Sequence, residues 1–290
     1  MMASKLNKMN LSSPKKRIIE SNSKWKISLI TPYIIFATIF IILPMILIFY
    51  YAFKPLNGQT HLENWEIIGK KQTWNIMFRS LWTGLLAATF AFFIGFPYAY
   101  ILTKTNATFK ILGLSLAISP LAIFTISKAL AIRGLFSAIF DENSLNNYAF
   151  MIFGMVYLYL PFMIIPIYQI LKDMPKNIIE ASQDLGYSKF KTALKVIIPY
   201  CYKGILSGFG IILMMSSTSI IISDKLLPNG SQKQLIGNLI NQFANTVNPF
   251  DLASASTLVI ITMVLLLSLY GLIYGIPYLI SKYKQGGSYE

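Results

Sequence analysis

The sequence predicts an all-α integral membrane protein with six transmembrane helices, and three observations predict it. Hydrophobic residues make up 55% of the 290 and charged residues only 12%, the balance of a chain that meets lipid over much of its surface. Six apolar runs of 22 to 27 residues stand along the chain, each enough to cross a hydrocarbon layer of about 30 Å. Lysine and arginine are unevenly shared between alternate loops, 17 against 7. The positive-inside rule then puts both termini in the cytoplasm. The formal charge of +14 is thus a topology signal spread over loops and tails, and no nucleic-acid partner is expected.

Residues 1–26 form a basic polar tail suited to lipid headgroups. No cleavable signal peptide is expected, because the first apolar run is too long and lacks a small-residue cleavage site. That run, 27–53, is the first span, with Pro32 near its start and Pro44 as a kink. The polar loop 54–80 holds His61, the single histidine. It reads as solvated surface and leaves no His-based metal site or catalytic triad.

The second span, 81–103, carries Gly84, Gly95 and Pro97, and a basic turn, 104–110, follows. The third, 111–132, is interrupted by Pro120 and holds Lys128 near its outer end, where snorkelling to the interface is expected. The loop 133–147 leads to the fourth span, 148–171, with Pro161 and Pro166. The fifth, 200–223, opens with Cys201, the single cysteine, read as a small buried residue. Its Gly204 and Gly208 allow close helix contact. A loop, 224–256, the sixth span, 257–281, and a tail, 282–290, complete one membrane domain over 27–281.

Between the fourth and fifth spans lies the longest patterned hydrophilic stretch. Pro175 suits the first turn of a short helix. Ile178, Ala181, Ser182 and Leu185 share one face, with Asn177, Glu180 and Asp184 opposite. Gly186 can take the left-handed backbone that ends a helix. Ser188 can cap a second helix with Phe190, Ala193, Leu194 and Ile197 on its apolar face, and Pro199 is expected to end it. Two amphipathic helices at a glycine elbow fit a groove in another protein, or alternatively lie in lipid headgroups.

Polar groups inside the spans are candidates for a solute path. Ser216, Ser217, Thr218 and Ser219 follow one another in the fifth span. They either bond back to their own turn or offer a wettable face. Asp224, at the outer end of that span, needs a partner, water or a cationic solute, unless it is an exposed loop acid. Tyr157, Pro161 and Tyr168 share a face of the fourth span, and Tyr270 and Tyr274 a face of the sixth. Such rings pack or anchor, or hold a cation at about 0.5–2 kcal/mol each. The chain has no G-x-x-x-x-G-K-[ST] phosphate loop and no nucleophile–base or metal-ligand cluster, so an enzyme is the least expected class.

The stretch Glu180-Ala181-Ser182, three residues, Gly186, nine residues, then Val196-Ile197-Ile198-Pro199 resembles the signature loop of ABC-importer permeases. Ser182, Val196 and Ile198 are the departures from that pattern. The likeness extends over nearly all of residues 25–285, and is nearest to the first permease subunit of spermidine/putrescine importers. It is carried by Arg79-Ser80-Leu81, Gly95-Phe96-Pro97, Tyr159-Leu160-Pro161-Phe162, Ile222-Ser223-Asp224, and Leu235-Ile236-Gly237-Asn238 with Gln242-Phe243. Leu121-Ala122-Ile123-Phe124 and Lys128-Ala129-Leu130 depart from it, lacking an indole and a tyrosine.

The resemblance implies a type I ABC-importer permease fold, a pseudo-twofold pairing with a second permease, two cytoplasmic ATPase subunits and an extracytoplasmic polyamine-binding protein. It implies no cofactor on this chain, with ATP and Mg held by the ATPase. Glu180, Ala181, Asp184, Gly186 and Pro199 would couple to that ATPase. Tyr157, Ser216, Ser217, Ser219, Asp224, Tyr270 and Tyr274 remain the path candidates. An importer of another small solute, or an ion-gradient-driven carrier, stays open at this point.

Overall fold

The computed structural model describes residues 30–54, 63–245 and 249–286, and every regular element among them is helical. His61 and the basic tail lie outside those ranges. By its contacts the chain divides into two units, Met1–Tyr51 and Ala52–Glu290.

The first unit holds most of α1 (Ile30–Phe53), a helix whose isoleucine, leucine and phenylalanine side chains stand exposed, as lipid requires. A π-turn, Thr38–Ile42, precedes Pro44, and the Thr38 hydroxyl donates back to the Ile34 carbonyl at 2.8 Å.

In the second unit come α2 (Lys71–Lys104), α3 (Ala107–Ile118), α4 (Thr125–Ser137), α5 (Tyr148–Tyr159) and α6 (Pro161–Lys172). They are followed by α7 (Lys176–Asp184), α8 (Lys189–Tyr200), α9 (Tyr202–Ser217), α10 (Ile236–Ala244) and α11 (Pro249–Gly286). Among the described residues α1, α2 and Asp251–Gly275 of α11 are helices that are each long and apolar enough to cross a membrane. The pairs α3–α4, α5–α6 and α8–α9 are bent by 102°, 46° and 73°, and counting each as one broken span gives six.

Each bend has a local cause. Pro120 sits in a 3-10 turn, Ser119–Ala122, and the chain then runs extended through Ile123 before α4 begins. The bend brings Lys128 back over it, and the Lys128 ammonium donates to the Pro120 carbonyl at 2.8 Å. Lys128 is therefore buried, not snorkelled. A carbonyl freed by the interrupted helix is a nearer partner than the interface. Pro161 begins α6, where its missing N–H costs nothing.

Pro199 does not end its helix as expected. A π-turn, Ala193–Ile197, shifts the acceptor upstream, and Ile198 donates to the Ala193 carbonyl. The helix then continues to Tyr200 and breaks at Cys201, which is fully buried. The expected fifth span, 200–223, is likewise shorter: α9 stops at Ser217, and a separate π-turn, Ile222–Leu226, follows.

Packing centres on α2, α6 and α9. Ala87, Ala88, Ala91 and Ala99 give α2 a narrow face, and Met163 and Ile167 of α6 fill the space beside it. A Cβ on Gly204 would stand 2.8 Å from the Pro166 carbonyl oxygen, and one on Gly208 3.0 Å from that of Phe162. Small residues let these backbones meet, as the i, i+4 spacing predicts, and dispersion replaces the hydrophobic effect that lipid cannot supply between helices.

Where a loop is expected at 224–256, α10 packs through Ile236 with Ile67, Ile76, Met77 and Leu258. The helix α2 also begins ten residues before the expected span. Its polar first turns find partners, Thr73 donating to the Ile67 carbonyl at 2.7 Å and Arg79 to that of Gln234 at 3.0 Å.

Candidate functional site

Two constellations carry the residues singled out by sequence. The first is the elbow between α7 and α8. Pro175 caps α7 from outside, with an extended backbone. At the other end Gly186 has φ +81, the one glycine with a positive φ among the described residues. Gly186 N–H donates to the Gln183 carbonyl at 2.8 Å and Tyr187 N–H to that of Ser182 at 3.2 Å. This pair of bonds is a Schellman motif, which satisfies carbonyls that a helix end leaves open. Ser188 restarts the chain, its hydroxyl accepting from Lys191 N–H at 3.3 Å.

The buried side of the elbow differs from the predicted apolar face. Ser182 and Thr192 point inward and share a 2.8 Å hydroxyl–hydroxyl bond. Leu185 is 80% exposed and Phe190 75% exposed, and Leu194 is exposed as well. Turning through Gly186 brings the hydroxyls of the two helices together, so the large apolar side chains are left outside. Ser182, a departure from the alanine of the signature, thus has a structural partner.

Replacing Ser182 by alanine leaves the buried Thr192 hydroxyl unpaired, and destabilisation of about 1–3 kcal/mol is expected. The double variant Ser182→Ala with Thr192→Val should recover most of that loss. A thermal-melting cycle of the single and double variants reads the difference. A loss in the double variant equal to the sum of the two single losses would mean that the bond contributes nothing.

The second constellation surrounds the break after α9. Arg79 and Ser80 of α2, the 218–224 turn and the start of α10 meet there. Ser80 Oγ accepts from the Ile236 backbone N–H at 2.8 Å while donating to the Ile76 carbonyl at 2.8 Å. Asn238 donates to the Ile220 carbonyl at 3.1 Å and accepts from the Ser223 hydroxyl. Tyr159 donates to Ser219 at 3.1 Å. Gly237 lies so close that a Cβ there would overlap the Thr218 carbonyl oxygen. Irregular backbone at membrane depth survives only where protein satisfies its polar groups, and these residues do so.

Three stretches noted above for their likeness to polyamine permeases, at 79–81, 222–224 and 235–238, converge on this break. Sequence reasoning assigned no role to Arg79, Ser80, Thr192, Ser223, Gly237 or Asn238. A usable signal for α10 was present in Ile236, Leu239, Ile240 and Phe243, apolar residues at i, i+3, i+4 and i+7.

No family model matches the chain. It is 28% identical over 283 residues to the Mycoplasma genitalium "spermidine/putrescine transport system permease protein PotB homolog", covering 90% of this chain and 97% of the relative. It is 30% identical over 225 residues to the Escherichia coli "spermidine/putrescine transport system permease protein PotB", covering 71% of this chain and 80% of the relative. The chain belongs to the PotB permease family. Its fold also matches a solved bacterial ABC transporter involved in import of the acidic polysaccharide alginate, with TM-score 0.60 over 90% of this chain and 99% of the other, at 15% identity. That likeness is one of fold.

This PotB-family chain is a multi-pass integral membrane protein with the ABC-permease fold. Its elbow exposes Glu180, Ala181, Asp184, Gly186 and Pro199. The path candidates, in contrast, are not gathered on one surface. Ser216 and Ser217 are buried against Gly84 of α2, Ser216 donating to the Ile212 carbonyl and Ser217 having no hydrogen-bond partner among the described residues. Thr218, like Ser216, bonds back to its own turn, at 2.8 Å to Met214.

Asp224 is half-exposed, with its carboxylate 3.0 Å from the Lys225 ammonium. Tyr157 is 43% exposed. Tyr270 and Tyr274 lie ring to ring at 4.2 Å, beside Gly210, where a Cβ would stand 2.5 Å from the Tyr270 ring.

Proposed function

We propose that this chain is the transmembrane permease subunit of a binding-protein-dependent ABC importer that carries polyamines of the spermidine and putrescine class inward. The observation that supports it most directly is the exposed elbow of α7 and α8, set between membrane helices in a chain of PotB type. An elbow with Leu185 and Phe190 uncovered and Glu180 and Asp184 beside them suits a groove with an apolar floor and basic rim. That groove belongs to a cytoplasmic ATPase subunit, which holds ATP and Mg, while this chain binds no cofactor of its own. The lysine and arginine bias between loops supports a cytoplasmic elbow and cytoplasmic termini.

Two ATPases, a second permease in a pseudo-twofold pair and an extracytoplasmic polyamine-binding protein complete the assembly. ATP closes the ATPase dimer, the elbow follows it, and the broken spans rock about their bends. Tyr157 and Asp224 are accessible enough to meet a cation on the path. Ser216, Ser217 and Ser219 join that path only as α2 and α9 separate, with Tyr270 and Tyr274 on the adjoining helix.

The complex purified through this chain and reconstituted in vesicles should take up spermidine in the presence of ATP and binding protein. Unlabelled putrescine should compete, and thiamine or an oligosaccharide should not. Uptake blocked by thiamine alone would overturn the substrate class. Absence of any copurifying ATPase, with uptake driven by an ion gradient, would overturn the transporter class.

A further inference from the structure

A pocket of about 420 Å³ opens where α2 ends, α3 begins, α6 ends and α7 begins. Lys104, Lys110, Lys172 and Lys176 line it, and no aspartate or glutamate does. An adjoining space of about 320 Å³ shares Lys104 and Lys176 and adds Lys189, with Glu180 as its one acid. Among the described residues none of these lysines has an ion-pair partner.

Helix stability explains half of this cluster. Lys104 and Lys172 fall in the last turns of α2 and α6, where the carbonyl end of a helix favours a cation. Lys176 and Lys110 are placed the opposite way. Lys176 is the first residue of α7 and Lys110 follows the first turn of α3, at ends that already carry positive partial charge. Neither first turn contains an acid, and neither N-cap side chain bonds the open N–H groups. Asn106 adds a neutral amide donor to the same wall, while the Thr103 and Thr105 hydroxyls already donate to the Tyr100 and Ile101 carbonyls at 2.7 Å. Four ammonium groups and two uncapped helix starts around one space form a site that lacks only a negative charge.

We propose that this pocket binds the phosphate group of an anion and thereby ties the α2–α3 turn to the first turn of α7. Three rotatable donors on each ammonium suit a phosphate, which presents several acceptor oxygens at once. The group comes either from an anionic phospholipid headgroup or from a soluble phosphate. An occupied pocket stiffens the base of the elbow whatever solute the permease carries, so the inference stands apart from the polyamine reading.

The test is lysine acetylation read by peptide mass spectrometry on the full-length chain, purified in its assembled state into nanodiscs. In neutral phosphatidylcholine, inorganic phosphate or pyrophosphate should slow labelling of Lys104, Lys110, Lys172 and Lys176 by about fivefold, leaving exposed Lys191 unchanged. Protection that appears only with phosphatidylglycerol in the bilayer identifies the lipid headgroup as the source. In the variant Lys110→Gln with Lys176→Gln, protection of Lys104 and Lys172 should fall away.

Equal labelling in every condition overturns the proposal. So does equal protection by chloride at matched ionic strength, which is screening alone. Slow labelling in neutral lipid without phosphate means that a protein partner already fills the pocket, and overturns it too.

Discussion

Replacing Gly186 by valine is expected to abolish substrate-stimulated ATP hydrolysis by the assembled complex while leaving assembly intact. The φ of +81 lies where a side chain costs about 1–2 kcal/mol, and a β-branched one more. No heavy atom outside the local chain comes within 4 Å of where the Cβ would be built, so the cost is one of backbone conformation, not of crowding. Valine should therefore open the elbow and turn Leu185 and Phe190 away from the ATPase groove proposed for them.

A penalty of about 1.4–3 kcal/mol in the coupled state is roughly a ten- to hundredfold loss of coupling. Gly186→Asn should retain most of the stimulation, because asparagine tolerates the left-handed region. ATPase assays with and without loaded binding protein, beside size-exclusion profiles, separate the outcomes. Full stimulation in the valine variant would show that force does not enter the bundle here.

The second large effect is expected at Gly237. Even Gly237→Ala should lower the melting temperature of the purified chain, since the added carbon overlaps the Thr218 carbonyl oxygen. Backbone cannot swing aside as a flexible side chain would. Either α10 lifts away or the break after α9 deforms, and the Asn238 bond to the Ile220 carbonyl is lost with it. Overpacking of this kind costs about 3 kcal/mol, or roughly 6–12 °C of melting temperature at this chain length. Fluorescence-detected melting in mild detergent reads the shift. Gly134→Ala is the control, because nothing lies within 4 Å of that Cβ position. An unchanged melting temperature for Gly237→Ala would mean that α10 is not seated on the break.

Several elements were legible because their causes are local. The spans follow from run length, and α1 to α6, α9 and α11 fall close to the apolar runs, with α2 and α11 extended beyond them. The elbow follows from Gly186 and Ser188, residues that favour a helix end and a helix start wherever they occur. Burial of Cys201 and close approach at Gly204 and Gly208 are also local consequences of size.

Other features depend on partners that no window contains. Lys128 reads as an interfacial lysine until the 102° bend brings the Pro120 carbonyl to it. Pro199 reads as a helix stop until a π-turn upstream absorbs the missing donor. The hydroxyl run 216–219 reads either as bonding back to its own turn or as a wettable face; Ser216 and Thr218 bond back, Ser217 is the last helical residue and Ser219 is held by Tyr159. Leu185 and Phe190 read as an apolar face for a partner's groove or for lipid headgroups, but the inward pairing of Ser182 with Thr192, which holds them outside, is visible only in the fold.

By itself the sequence determined the class of molecule, the number of apolar runs and the position of the glycine elbow, because hydropathy, proline and glycine act within a turn or two. Only the tertiary structure decided where the broken spans bend and which polar groups cover the breaks. At membrane depth each freed backbone group must find a protein partner. Those partners lie far along the chain, 18 residues away for the Ile220 carbonyl with Asn238 and 156 for the Ile236 N–H with Ser80.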